Sequence, residues 1–175
     1  TSKAEFSDMH LVECTRGCPF GCRFCMAGFV SRPFRTFDEA LVAKTAAATG
    51  GRDKVGAIGE LAAGHPQFRG IIGGLEGRGI RVSPSSVRVE HLDDWAIAAL
   101  QRAGTRTLTL APESPSPRLS RALNKPFDHD ALLGAVERAT AAGVERIKLY
   151  FLVGLPGETD DDVMAIPALA REVHA

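Results

Sequence analysis

About five times along this chain a short run of β-forming residues is followed by an amphipathic helical pattern, and no other feature restricts the fold as much. A strand that pairs in parallel with its predecessor needs a crossover, and such crossovers are right-handed. The expectation is an α/β fold, an incomplete (β/α) TIM-like barrel of parallel strands with about five βα units. The β-like runs are His10–Glu13, 55–58, 80–89, 106–111 and 147–153. Pro84 argues for a bend or an exit from the sheet within the third run. The fifth run is almost continuously apolar, as expected where both faces are covered.

The helical stretches carry their own punctuation. Thr36, with Glu39 three residues on, reads as a capping box ahead of an apolar face of Leu41, Val42 and Ala46. Residues 66–78 are Gly-rich and give only a weak helix signal. Leu92, Trp95, Ala96, Ala99, Leu100 and Ala103 mark one helical face, and Gly104 is placed to end it. Asp128 caps a helix with Leu132, Val136 and Ala139 inward, ended by Gly143. Thr159 opens a last helix through Val163 and Ile166, which Pro167 should kink.

In a βα barrel, chemistry sits at the C-terminal ends of the strands. Every notable polar motif here falls at such an end: the cysteine loop, Gly59 with Glu60, Ser85 with Ser86, Glu113, and residues 154–158.

The formal net charge is zero, so no overall field draws the chain to nucleic acid or to an anionic membrane. No apolar run approaches the roughly 18 residues of a membrane span, and no secretory pattern opens the chain, so a cytoplasmic setting is the default. The chain starts at Thr1 and stops within a helical pattern at Ala175. Residues 1–175 are therefore expected to be a core-domain excerpt of a longer protein, lacking the last barrel unit.

All four cysteines lie between Cys14 and Cys25, whereas a disulfide framework would spread them to staple distant segments. Cys18, Cys22 and Cys25 form C-x3-C-x2-C, with Phe24 directly before the last cysteine. Thiolates in such a run suit an iron–sulfur cluster, and three ligands on four irons leave one iron open. Zinc is the alternative, but structural zinc favours two separated C-x2-C halves, and only one is present. Cys14 fits no part of the spacing and reads as a strand-end thiol. No two of the five histidines form a metal pair; His65 follows the second strand and could touch a substrate.

The C-x3-C-x-aromatic-C run after a first strand resembles the radical S-adenosylmethionine (SAM) superfamily over essentially the whole chain. More closely, the stretches 13–24, 32–33, 107–113, 124–125 and 148–159 resemble a poorly characterised branch of it, often found with an upstream cobalamin-binding-type domain. The resemblance implies a 4Fe–4S cluster on Cys18, Cys22 and Cys25. SAM would chelate the open iron, and Phe24, the motif aromatic, would lie among the cofactor-binding residues. It further implies that Gly59 and Glu60 meet the SAM amino group, and that Arg88 clamps its carboxylate. Glu113 would be a SAM-binding acid, Lys125 a basic neighbour, and Leu155 a packing face for adenine. Solvated surface residues are the competing reading for Glu60 and Arg88. No general acid or base is assigned as catalytic. The implied activity is reductive SAM cleavage for C–H activation, with cobalamin-dependent methyl transfer and a zinc-binding interaction module as alternatives. Partners would be SAM, an electron donor such as flavodoxin or ferredoxin, and an unknown substrate, RNA or protein by analogy.

Overall fold

The computed structural model describes residues 6–84 and 87–174. The expected Ser85 and Ser86 at the third strand end lie outside the described residues. The first half alternates strand and helix. β1 (His10–Glu13) is followed by a short antiparallel pair, β2 (Thr15–Arg16) and β3 (Arg35–Thr36), with the single-turn α1 (Ala27–Val30) between them. Next come α2 (Glu39–Ala47), β4 (Lys54–Ile58), α3 (Phe68–Glu76), β5 (Arg81–Pro84) and α4 (Asp94–Arg102). The second half holds β6 (Thr107–Glu113), α5 (Pro117–Ala122), α6 (His129–Ala141), β7 (Arg146–Phe151) and α7 (Asp160–His174).

β4 pairs in parallel with both β1 and β5, and β6 pairs in parallel with β7. Among the described residues these form two separate ladders, so the expected parallel α/β architecture is present as an open, partial barrel. In register, Glu13 stands opposite Ile58, and Ala57 opposite Pro84, so three strands finish on one rim. Glu113 stands opposite Phe151, after a bulge that begins beyond Leu110.

Each sheet covers its own core. Val12, Val55 and Val82 pack with Val42 of α2 and with Ile71, Ile72 and Leu75 of α3. Leu108 and Leu110 pack with Leu132, Val136 and Ala139 of α6 and Leu169 of α7. The Gly-rich stretch 66–78 is thus a genuine helix. Phe68, Ile71, Ile72 and Leu75 are buried at i, i+3, i+4 and i+7, and this burial outweighs the low helix propensity of its glycines.

Several local expectations differ from the structure. Thr36 belongs to β3, and the cap of α2 is Asp38, whose carboxylate accepts the Leu41 N–H at 3.1 Å. Leu41 consequently points outward, 53% exposed, while Val42 and Ala46 are buried. The β7 run is not covered on both faces: Ile147, Leu149 and Phe151 pack on the second core, and Tyr150 and Val153 are exposed. Only β6 pairs with β7 among the described residues, so its other side meets no strand here. α7 carries Pro167 inside its length.

Candidate active site: a thiol-lined cavity at the strand ends

The loop leaving β2 must double back within a few residues. Gly17 makes the turn with φ +81°, and a Cβ there would sit 2.1 Å from the Ser31 carbonyl oxygen, so only glycine fits. Its N–H donates to Glu60 Oε2 at 2.9 Å. Gly59, just before Glu60, crowds the same place: a Cβ would lie 2.1 Å from Thr15 Oγ1 and 2.7 Å from the Thr15 carbonyl oxygen. The pair expected to meet the SAM amino group is therefore where the end of β4 locks onto the start of the cysteine loop. Glu60 lines the cavity described below; Gly59 serves the packing behind it.

That cavity, of about 400 Å³, is lined by Cys18, Cys22 and Cys25. Its size lies within the range of small-molecule sites. Phe20, Phe24 and Phe127 make much of it apolar, and Glu60, Arg88, Glu90, Glu113, Lys125 and Asp128 supply the polar groups. Cys22 is buried, while Cys18 and Cys25 are partly open. Among the described residues no trio of His, Cys, Asp or Glu gathers tightly enough for a single metal ion. Three thiols lining one largely apolar cavity suit a thiolate-bound four-iron cluster.

Cys14 stands apart from these thiols. It is 1% exposed within the first core, and burial first, then the charge of Glu13, pushes its pKa up to about 11.

In the same cavity lining, the bulge in β6 turns Glu113 into the left-handed region, φ +64°, which is uncommon for a residue other than glycine. Lys125 Nζ donates to Glu113 Oε1 at 2.9 Å and to the Ala111 carbonyl at 2.7 Å. The two side chains are only 11% and 16% exposed. An acid and a base are thus fixed together in the lining of the cavity that also holds the three thiols.

Arg88 also lines the cavity, with its donor fork already engaged. It donates to both Glu90 oxygens, at 2.7 and 3.3 Å, and its guanidinium lies 4.1 Å from the Phe20 ring centroid. Burial works to raise the Glu90 carboxyl, but the hydrogen bond and charge of Arg88 outweigh it and leave the carboxyl below its ordinary value.

Leu155 is not among the residues that line the cavity. Its loop is closed by Glu158, which accepts the Gly154 N–H at 2.6 Å, and is tied to α5 by Arg118, which donates to the Gly157 carbonyl at 2.9 Å and pairs with Asp162. Hydrogen bonds from Ser116, then Thr159, then Arg118 hold the Asp162 carboxyl far below the usual range. His65 has both ring nitrogens engaged: Nδ1 accepts the Gln67 N–H at 3.0 Å and Nε2 donates to the Phe37 carbonyl at 2.7 Å. It is a buried structural histidine rather than a substrate contact.

Sequence reasoning included Asn124 in the resembling stretch 124–125 without giving it a role, and passed over Asp128 as a cavity residue and α5. The Ser116 cap followed by Pro117 was a usable signal for α5. Asn124 offered only its neighbour Lys125.

Residues 12–170 match the Radical SAM superfamily. The chain is 32% identical over 176 residues to an uncharacterised protein of Methanocaldococcus jannaschii, covering 99% of this chain and 39% of that protein. It is 33% identical over 183 residues to the tRNA-2-methylthio-N(6)-dimethylallyladenosine synthase of Cereibacter sphaeroides, covering 90% of this chain and 38% of the synthase. The chain thus spans under two-fifths of the length of each of these relatives. Among solved structures, the radical SAM methyltransferase TsrM of Kitasatospora setae, with cobalamin and a [4Fe–4S] cluster bound, superposes with a TM-score of 0.76 at 15% identity, covering 95% of this chain and 33% of TsrM. The Escherichia coli radical SAM enzyme HemN, a coproporphyrinogen III oxidase, superposes with a TM-score of 0.56 at 15% identity, covering 77% of this chain and 32% of HemN. The family match decides between cluster and zinc in favour of the cluster. The chain belongs to the radical SAM superfamily.

Proposed function

We propose that these residues form the catalytic core of an enzyme in which Cys18, Cys22 and Cys25 hold a 4Fe–4S cluster and the Glu113–Lys125 pair faces bound SAM. The group supplies, when bound, one-electron reduction of SAM, giving methionine and a 5′-deoxyadenosyl radical that takes hydrogen from a C–H bond. The chain's own part is binding, orientation and exclusion of water. The supporting observation is that the three thiols and Glu113, far apart in sequence, line one cavity at the strand ends. Glu113 accepts from hydroxyl or ammonium groups, and Lys125 keeps it aimed. Phe24 and Phe127 offer apolar faces to a flat ring. Glu60 and Arg88 shape the thiol loop through Gly17 and Phe20 and present their remaining surface to the cavity. Gly59 supports them from behind, and Leu155 serves the adjoining loop.

Substrate, electron donor and setting belong to the same proposal. A one-electron donor of the flavodoxin or ferredoxin type reduces the cluster. The substrate is a large one, RNA or protein, in keeping with the tRNA-modifying relative. Cobalamin, where it takes part as in TsrM, is held by a domain outside these 175 residues. No helix among the described residues is long and apolar enough to cross a membrane, and we place the protein in the cytoplasm. The test is anaerobic: full-length protein, reconstituted and reduced with dithionite, should convert SAM to 5′-deoxyadenosine and methionine in equal amounts. Absence of 5′-deoxyadenosine from protein with its full iron content would refute the proposal.

A further inference from the structure

Between the cysteine loop and the Glu113 wall lies one short connector, the residues that leave α5. The Leu123 carbonyl accepts the Arg23 N–H at 2.9 Å, and the Ala122 carbonyl accepts from the Arg23 guanidinium. Asn124 Nδ2 donates to the Gly21 carbonyl at 2.9 Å, across 103 residues of sequence. Gly21 and Arg23 flank Cys22, the most buried of the three thiols, so these bonds fix the backbone on both sides of it. The approach is close: a Cβ at Gly21 would lie 3.3 Å from the Asn124 amide nitrogen.

Lys125, the next residue, reaches the other way, to Glu113 and the Ala111 carbonyl. Consecutive side chains therefore tie the cysteine loop and the Glu113 strand end to one short connector. They can do so because Asn124 adopts the left-handed conformation, φ +53°, which asparagine tolerates at a helix end. A helix end alone would be served by glycine, the residue most favoured there, but glycine has no amide to reach Gly21.

We infer that Asn124 is a positioning residue, which sets the cysteine loop at a fixed distance from the Glu113–Lys125 pair and so aligns the cluster with SAM. The inference rests on the ligand and SAM assignments proposed above.

The test compares wild-type full-length protein with Asn124→Gly and Asn124→Asp, all reconstituted anaerobically. Asn124→Gly keeps the backbone conformation and removes the amide; Asn124→Asp keeps the shape but can only accept. Iron content, melting temperature, SAM dissociation constant and the EPR spectrum of the reduced cluster, with and without SAM, are read for each. Both variants should keep wild-type iron and melt within a few degrees of wild type. Each should bind SAM about five-fold more weakly, the size of one lost hydrogen bond, and show a diminished SAM-induced EPR change. Wild-type SAM affinity and an unaltered EPR response in Asn124→Gly would overturn the inference and leave Asn124 as a helix end. Loss of iron in Asn124→Gly would also overturn it, by making Asn124 a support of the loop alone. Failure of the wild type to hold the cluster or respond to SAM would instead overturn the parent proposal.

Discussion

Replacing Lys125 by methionine separates the ion pair from the packing around it. Methionine keeps an unbranched stem among Pro126 and Phe127 but removes the ammonium. Two bonds vanish, at 2.9 Å to Glu113 and at 2.7 Å to the Ala111 carbonyl, and Glu113 stays 11% exposed without its counter-charge. Removing one partner of a fully buried pair costs about 3–5 kcal/mol, while an exposed pair contributes about 0–1 kcal/mol. This pair lines a cavity open to water, so Lys125→Met should cost about 2–3 kcal/mol, near the value of one hydrogen bond to a charged group. For a domain of this size that lowers the melting temperature by about 4–12 °C. Glu113→Gln leaves Lys125 its bond to Ala111 and should cost less. The double variant should cost less than the sum of the two, because removing both charges leaves neither stranded. Circular dichroism melts of the full-length protein measure all three. Additive costs, or a Lys125→Met variant within about 0.5 kcal/mol of wild type, the scatter of a surface change, would show that the pair is not coupled.

Three further outcomes follow from the geometry. Burial keeps the Cys14 thiol neutral up to about 11, above the unfolded value of about 8.5, so the unfolded chain releases its proton first. Stability should therefore fall as pH rises between those values, and urea titrations of Cys14→Ala should show a shallower fall. Gly59→Ala sets a methyl against Thr15 Oγ1 and the Thr15 carbonyl oxygen, and should destabilise by about 2–4 kcal/mol in denaturant melts. An unchanged midpoint would contradict the close packing of β4 on the cysteine loop. The Thr15 hydroxyl is buried with no hydrogen-bond partner among the described residues, so the near-isosteric Thr15→Val should raise stability by about 1 kcal/mol. A lowered midpoint would mean that the hydroxyl has a partner.

The parallel order of the strands was legible because period-2 and helical patterns alternate, and with it came the rim that gathers the thiols, Glu60 and Glu113. Cys14 fits no part of the ligand spacing, and the structure buries it in the first core. What the sequence did not reveal involved choices between local signals and distant contacts. Thr36 and Asp38 are both good caps, and the short β2–β3 ladder claims Thr36, leaving Asp38 to start α2. The glycines of α3 hid a buried stripe that four residues carry against the sheet. Arg88 looked free for a carboxylate although Glu90 stands only two residues on, and nothing in a linear reading brings Phe20 against its guanidinium. The Asn124–Gly21 bond joins residues whose neighbourhood exists only once both halves have folded.

The central claim is that three cysteines, and not the fourth, build the redox centre. It is tested most directly by iron and sulfide analysis, with the EPR spectrum of the reduced protein, on anaerobically reconstituted wild type and four single variants. Wild type and Cys14→Ala should each carry about four irons and four sulfides per chain, with a four-iron signal that changes when SAM is added. Cys18→Ala, Cys22→Ala and Cys25→Ala should each lose the cluster. Equal dependence on all four cysteines, or tightly bound zinc in place of iron, would contradict the account.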